Sequence, residues 1–245
     1  MNRLLGMALV VVLTACGVAK ADERAARAIL DRAIKAMGGE ERLSRIKAFT
    51  VKGKGIIVFD GDDVPFAFQM TARGIDQYRS TYEGMAGGKT FGGETVIDHD
   101  RGWRKYNGRI AKLDGKELDN EKRKAYLDVA PVLLTLLKGK GFKLDTAEED
   151  KITAGIRATG PDGKEFTIRF DKGSGLPTWL GGEVVDEEGD EYTQEMTFEE
   201  YREFEGIRVA TRSIIKKDGE RYIEVEEMEF KPLDRVEPNT FAEPR

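Results

Sequence analysis

The sequence predicts an α+β protein: an amphipathic helix near the N-terminus, then a long antiparallel sheet interrupted once by a second helical stretch. Apolar residues recur at helical spacing from Ala26 to Met37, and from Phe49 onward the apolar period changes to two. Asp-Gly pairs return along the chain, at Asp60-Gly61, Asp162-Gly163 and Asp218-Gly219, and mark tight hairpin turns. No linker, low-complexity tract or shift of composition follows Asp22, so residues 22–245 are expected to form one domain.

The first helix is expected to start at Asp22, whose carboxylate would cap it. Ala26, Ile29, Leu30, Ala33, Ile34 and Met37 then share one face. Gly38-Gly39 follows the last apolar position, where a helix ends in a residue tolerant of the left-handed conformation. Leu43 and Ile46 indicate one more short turn. Phe49, Val51, Gly53, Gly55, Ile57 and Phe59 share a strand face, with Lys52 and Lys54 opposite. Val64, Phe66, Phe68 and Met70 alternate with Pro65, Ala67 and Gln69, which completes a hairpin with one strongly apolar face. Further strands are predicted around 78–82, 90–97 and 103–106. Residues 120–137 are predicted to be helical and apolar on more than one side. Pro131 should kink or split that helix, because its ring removes a backbone donor and clashes with the preceding turn. The remainder reads as a meander: Phe166, Ile168 and Phe170, then Trp179 and Leu180, then Tyr192, Gln194, Met196 and Phe198 on one face, then strands near 207–215 and 221–230.

The N-terminus points to export. Arg3 precedes an apolar run from Leu4 to Ala15, shorter than the roughly 20 residues a membrane-spanning helix needs but suited to the h-region of a signal peptide. Two processing sites follow it. Ala19-Lys20-Ala21 is a small-x-small site that would remove residues 1–21. Leu13-Thr14-Ala15-Cys16 resembles the bacterial lipobox, which would remove residues 1–15 and leave a lipidated Cys16. The protein is therefore expected in the periplasm, or anchored to a membrane through Cys16. Cys16 is the one cysteine, so no disulfide framework supports the fold, and the chain must be held by its own core. Lys and Arg number 40 against 45 Asp and Glu. Cleavage removes Arg3 and, at the later site, Lys20, with no acid, so the balance becomes more negative. Such a surface repels polyanions, and nucleic acid is excluded as a general partner.

The catalytic and metal motifs in the chain are weak. Nucleophilic catalysis through imidazole has one candidate base, His99, within the charged turn Asp98-His99-Asp100-Arg101-Gly102. Successive strand residues point to opposite sides, so Asp-His-Asp makes a poor metal site. Gly87-Gly88-Lys89-Thr90 imitates the end of a P-loop, yet Glu83 stands where the first glycine belongs and a strand pattern follows. The acidic run 186–191 lacks the spacing of a calcium loop and reads as a solvated hairpin tip. No catalytic residue, metal or cofactor is assigned.

Aromatic and methionine side chains on the strand faces remain. Their bland reading is ordinary core. Asp171-Lys172-Gly173-Ser174-Gly175-Leu176-Pro177 resembles the strand-turn-strand signature of the lipoprotein-carrier (LolA/LolB-like) family. Phe198-Glu199-Glu200-Tyr201 followed by Gly206-Ile207, and the closing Phe241-Ala242-Glu243-Pro244, are similar to two further features of that family. Arg101-Gly102-Trp103-Arg104-Lys105-Tyr106 and Pro131-Val132-Leu133-Leu134 fall where it has a Trp-containing strand and a lid helix. One departure is Val209-Ala210-Thr211, where the family commonly has proline soon after Gly-Ile.

The resemblance implies a curled antiparallel sheet, an unclosed β-barrel covered by helices, with space for an acyl chain beneath a movable lid at 120–137. The cavity candidates are then Phe66, Phe68, Met70, Tyr78, Tyr82, Trp103, Leu133, Leu134, Phe166, Phe170, Trp179 and Met196. Three functions stay open. The first is a carrier of lipid or lipoprotein acyl chains. The second is a structural or sensory module with a filled core and a protein partner. The third, a carboxylate-dependent hydrolase, needs two acids that converge in a cleft.

Overall fold

A computed structural model describes residues 15–59, 61–186 and 189–245, with side chains from Asp22 onward. The apolar run from Leu4, the side chain of Cys16, both cleavage motifs and the turn residue Asp60 lie outside that description.

Helix α1 spans Ala15–Ala36. It therefore runs through Asp22 and does not start there. The alanines at 15, 19 and 21 are strong helix formers, and they carry the helix past the expected cap. Ala26, Leu30, Ala33, Ile34 and Met37 are fully buried along the predicted face. The helix stops where Gly38 takes a φ of 130°. A Cβ there would stand 2.4 Å from the Gly206 carbonyl oxygen, so glycine permits the close approach of two chain segments. Arg208 N–H donates to the Met37 carbonyl at 2.9 Å and ties the helix end to the sheet. Helix α2 (Glu40–Arg45) follows as the short turn around Leu43.

Six strands then run back and forth: β1 (Ala48–Phe59), β2 (Asp62–Arg73), β3 (Gln77–Ala86), β4 (Lys89–Asp98), β5 (Arg101–Tyr106) and β6 (Arg109–Leu113). Helix α3 (Gly115–Val129) and a 3-10 turn (Leu134–Lys138) cross the concave face. Pro131 separates them, as its missing donor requires. The helix begins five residues earlier than the sequence indicated, because its first turns are polar and lack an apolar stripe. Seven strands complete the chain: β7 (Lys143–Ala147), β8 (Thr153–Thr159), β9 (Glu165–Asp171), β10 (Pro177–Val185), β11 (Glu191–Phe204), β12 (Ile207–Lys217) and β13 (Glu220–Leu233).

All 13 strands form one antiparallel sheet in the order β6-β5-β4-β3-β2-β1-β13-β12-β11-β10-β9-β8-β7. The last strand pairs with the first, and β6 and β7 are left as two unpaired edges, so the curled sheet does not close into a barrel. The helices cover this concave face unevenly. Helix α1 packs on β7 and β8, and α3 on β10 and β4. Beneath them Leu127, Leu134, Leu137, Leu144, Ile156 and Phe166 are fully or almost fully buried.

Arg123, only 2% exposed, fastens α3 to the sheet. Its guanidinium donates to the carbonyls of Glu183 at 3.0 Å and Glu165 at 2.6 Å, and to the Tyr126 hydroxyl at 2.7 Å. Asp162 balances its charge from 3.6 Å. Lys138 joins the 3-10 turn to α1 and α2 through Asp31 at 3.0 Å and Glu40 at 2.8 Å. On the convex face the C-terminal residues cover Val96 and Trp103 with Phe241.

Candidate functional site

The half of the concave face that the helices leave uncovered, formed by β1–β3 and β11–β13, encloses a cavity of about 360 Å³. It lies between the main core and a smaller cluster of Ile57, Val64, Phe66 and Phe91, and Phe68 packs against both. Strand register builds the floor in rows. Val51 sits opposite Met70, which faces Ser80; Gly53 sits opposite Phe68, which faces Tyr82. On the other side Val225 faces Ser213, which in turn faces Phe198. The aromatic rows fit because some partners are glycine: a Cβ on Gly53 would come within 2.4 Å of the Phe68 ring. At Glu200 a φ of 51° breaks the alternation, so Phe198 and Tyr201 both reach the cavity although three residues apart. Tyr201 is held there by donating its hydroxyl to the Pro177 carbonyl at 2.7 Å.

The helical segment contributes Asp128, Pro131 and Val132 to the lining. Asp128 is the one carboxylate among the described lining residues. It is half-buried, at the border of the cavity. The Tyr78 hydroxyl donates to Asp128 Oδ2 at 2.9 Å. Burial is the main reason the carboxyl is pushed up to about 6; the Glu121 charge adds to this, and the Tyr78 hydrogen bond and Lys124 oppose it. Tyr78 is itself pushed well above its ordinary value, by burial first and then by Asp128, while a hydrogen bond with Ser80 acts the other way.

The structure brings Phe66, Phe68, Met70, Tyr78, Tyr82 and Met196 together around this cavity and places the other candidates elsewhere. Leu133, Leu134, Phe166 and Phe170 are at most 2% exposed in the filled core under the helices. Phe166 is enclosed by Tyr126 and Phe142, with ring centroids 6.0 and 6.3 Å away. Trp179 lies on the convex face, because its neighbour Leu180 takes the inward position; the Arg169 guanidinium stands 4.9 Å over its ring. Trp103 is convex as well, since Ile97 and its partner Gly102 occupy the inward places. The expected lid is mostly core: Leu133, Leu134 and Leu137 are buried, and only the stretch around Pro131 borders the cavity.

Sequence reasoning missed the contribution of β12 and β13, among them Val209, Val225 and Met228, and it missed Asp128. Val209-Ala210, at the family's proline position, both line the cavity. The signal for Asp128 was a carboxylate inside an otherwise apolar helical stretch.

His99 occupies a left-handed turn residue (φ 58°) of the β4–β5 hairpin, with its N–H bonded to the Asp76 carbonyl at 2.8 Å. Gly87-Gly88 is the β3–β4 turn and does not precede a helix. Asp186 is paired with Lys217 at 2.9 Å. Among the described residues no group of three or more His, Cys, Asp or Glu is placed to hold a metal ion. No described helix is long and apolar enough to cross a membrane.

No protein-family model and no curated protein matches the sequence. Solved structures do match the fold. A LolA superfamily protein from Nitrosomonas europaea superposes with a TM-score of 0.54 at 12% identity, covering 89% of this chain and 97% of its own. A DUF1329 family protein from Desulfovibrio piger gives 0.53 at 11% identity, over 88% of this chain and 96% of its own. A domain from Vibrio parahaemolyticus described as an outer membrane lipoprotein-sorting protein gives 0.50 at 11%, over 87% and 97%. The unclosed 13-stranded sheet with helices across its concave face thus has the fold of the LolA superfamily.

Proposed function

We propose that this chain is an exported binding protein that holds one hydrocarbon chain of a lipid or lipoprotein in the cavity of its half-barrel and performs no catalysis on it. The observation that carries this reading is the apolar cavity of about 360 Å³ in the uncovered half of the concave face. An engineered cavity of about 150 Å³ takes up benzene, so by volume this one suits roughly a dozen carbon atoms. Each CH₂ moved out of water into such a lining gains about 0.8 kcal/mol. The Arg3 and Leu4–Ala15 leader pattern supports export, as does the fold's likeness to a lipoprotein-sorting domain.

Organic-solvent extraction of the purified protein, followed by mass spectrometry, should yield a stoichiometric single-chain amphiphile. The delipidated protein should take it up again. Val225→Trp, which fills the cavity from β13, should block uptake while the chain keeps its cooperative melt. Equal uptake by wild type and Val225→Trp would refute the reading. Intact mass decides the mode of export: acyl and diacylglycerol additions on Cys16 mark a membrane-anchored form, and an N-terminus at Asp22 a periplasmic one.

A further inference from the structure

We propose that Asp128, with Tyr78 and Ser80 behind it, forms the polar end of the cavity and selects a single-chain amphiphile with a cationic, hydrogen-bond-donating head over one that ends in a carboxylate or phosphate. This rests on the binding function proposed above and names the ligand class for the same cavity. Three observations support it. First, Asp128 Oδ2 accepts from Tyr78, whose oxygen in turn meets the Ser80 hydroxyl, so the tyrosine's hydrogen is committed to the carboxylate. Asp128 lines the cavity, and Tyr78 is the protein donor the structure gives its carboxylate.

Second, among the described residues no Lys, Arg or His lines the cavity. Lys124, whose charge reaches Asp128, pairs with Glu121 at 2.9 Å, and Arg104 pairs with the same carboxylate at 2.7 Å. An anionic head would meet the Asp128 carboxylate with nothing to compensate it, whereas a donor head finds an acceptor already oriented by Tyr78. Third, the carboxyl's partner Tyr78 is neutral, and a neutral acceptor such as an amide would serve it as well as a carboxylate does. A buried acid that is pushed up to about 6 costs folding free energy, and an apolar residue at this place would complete the lining. The groups that face it are Tyr78 on β3, Glu121 and Lys124 on α3, and Tyr192 on β11, which feels its charge.

The test compares ligands of one chain length, dodecylamine, dodecanol and dodecanoate, by titration into delipidated protein below their aggregation limits. At pH 8 dodecylamine should bind roughly 10–100-fold more tightly than dodecanoate. That is the ratio given by a hydrogen bond to a charged group, about 1.5–3 kcal/mol. Lowering the pH to 5 protonates Asp128 and should reduce the dodecylamine-to-dodecanol preference several-fold in the unmodified protein, a readout that needs no variant. Asp128→Asn should abolish the amine preference over dodecanol at pH 8. If all three ligands bind alike, or dodecanoate binds most tightly, the headgroup assignment is overturned and the cavity's function stands. If none of them binds, both readings fall.

Discussion

The emptiness of the cavity can be weighed with one pair of phenylalanines. Phe166 is 2% exposed, is enclosed by Tyr126 and Phe142, and carries the Arg123 guanidinium 5.7 Å over its ring. Phe166→Ala loses the transfer free energy of a whole ring and leaves a void that anchored neighbours cannot fill, for a cost of about 3–5 kcal/mol. Phe68 has the same chemistry in a different place. One side of its ring lies against Gly53 and Phe66, whose ring centroid is 5.8 Å away, and the other side borders the cavity. Phe68→Ala therefore loses the transfer term for part of one ring and widens an existing space without creating a closed void, for about 1–2 kcal/mol. Urea unfolding of both variants, delipidated and with matched m-values, should show Phe166→Ala the more destabilised by at least about 1.5 kcal/mol. Equal losses would mean that Phe68 is packed on all sides and that the half-barrel is filled. A negligible loss for Phe68→Ala would mean that the strand phase of β2 is wrong.

Asp128 holds its proton more tightly in the folded chain (about 6) than at its ordinary value of 3.8, so the folded state binds extra protons between those values. The stability it contributes is fully present below about pH 4 and disappears as the pH rises through 6, about 1–3 kcal/mol in all. Melts of Asp128→Asn should lack this part of the pH dependence, and an unchanged slope would refute the buried-acid assignment. Arg123→Ala removes the guanidinium donor from the Glu165 and Glu183 carbonyls and the counter-charge from Asp162 and should cost about 3–5 kcal/mol by urea titration, whereas a loss below about 1 kcal/mol would show that α3 is held by its apolar face alone. Phe241→Ala should expose Trp103 and shift its emission to the red in a Trp179→Phe background, and an unshifted spectrum would mean that the C-terminal residues do not cover β4 and β5.

Much of the fold is local and was therefore legible. The apolar face of α1, the glycine stop, the hairpin of β1 and β2, the break at Pro131 and the turns at Asp162-Gly163 and Asp218-Gly219 each depend on residues within a few positions of one another, where period and backbone chemistry act directly. Strands β6, β7 and β8 escaped notice for a local reason too. Arg109–Leu113 is exposed at all but its last residue, and β7 and β8 each carry one large apolar residue on the inward face, Leu144 and Ile156, among small or polar neighbours, so no apolar alternation announces a strand. The continuation of α1 before Asp22 followed helix propensity over a cap signal.

Which aromatic residues share a space is a different kind of fact. Local alternation puts Phe66, Phe68 and Met70 on one side of their strand, and Phe166 and Phe170 on one side of theirs. Long-range packing sets the first group at a cavity and seals the second under helices. Alternation assigns a face and leaves open what lies against it. That depends on Arg123 drawing α3 onto β9 and β10, and on Lys138 tying the 3-10 turn to α1 and α2, contacts between residues far apart in the chain. Those contacts hold α1 over β7 and β8 and α3 over β10 and β4. The strands between, β1–β3 and β11–β13, keep an open stretch of concave face, with Asp128 at its edge.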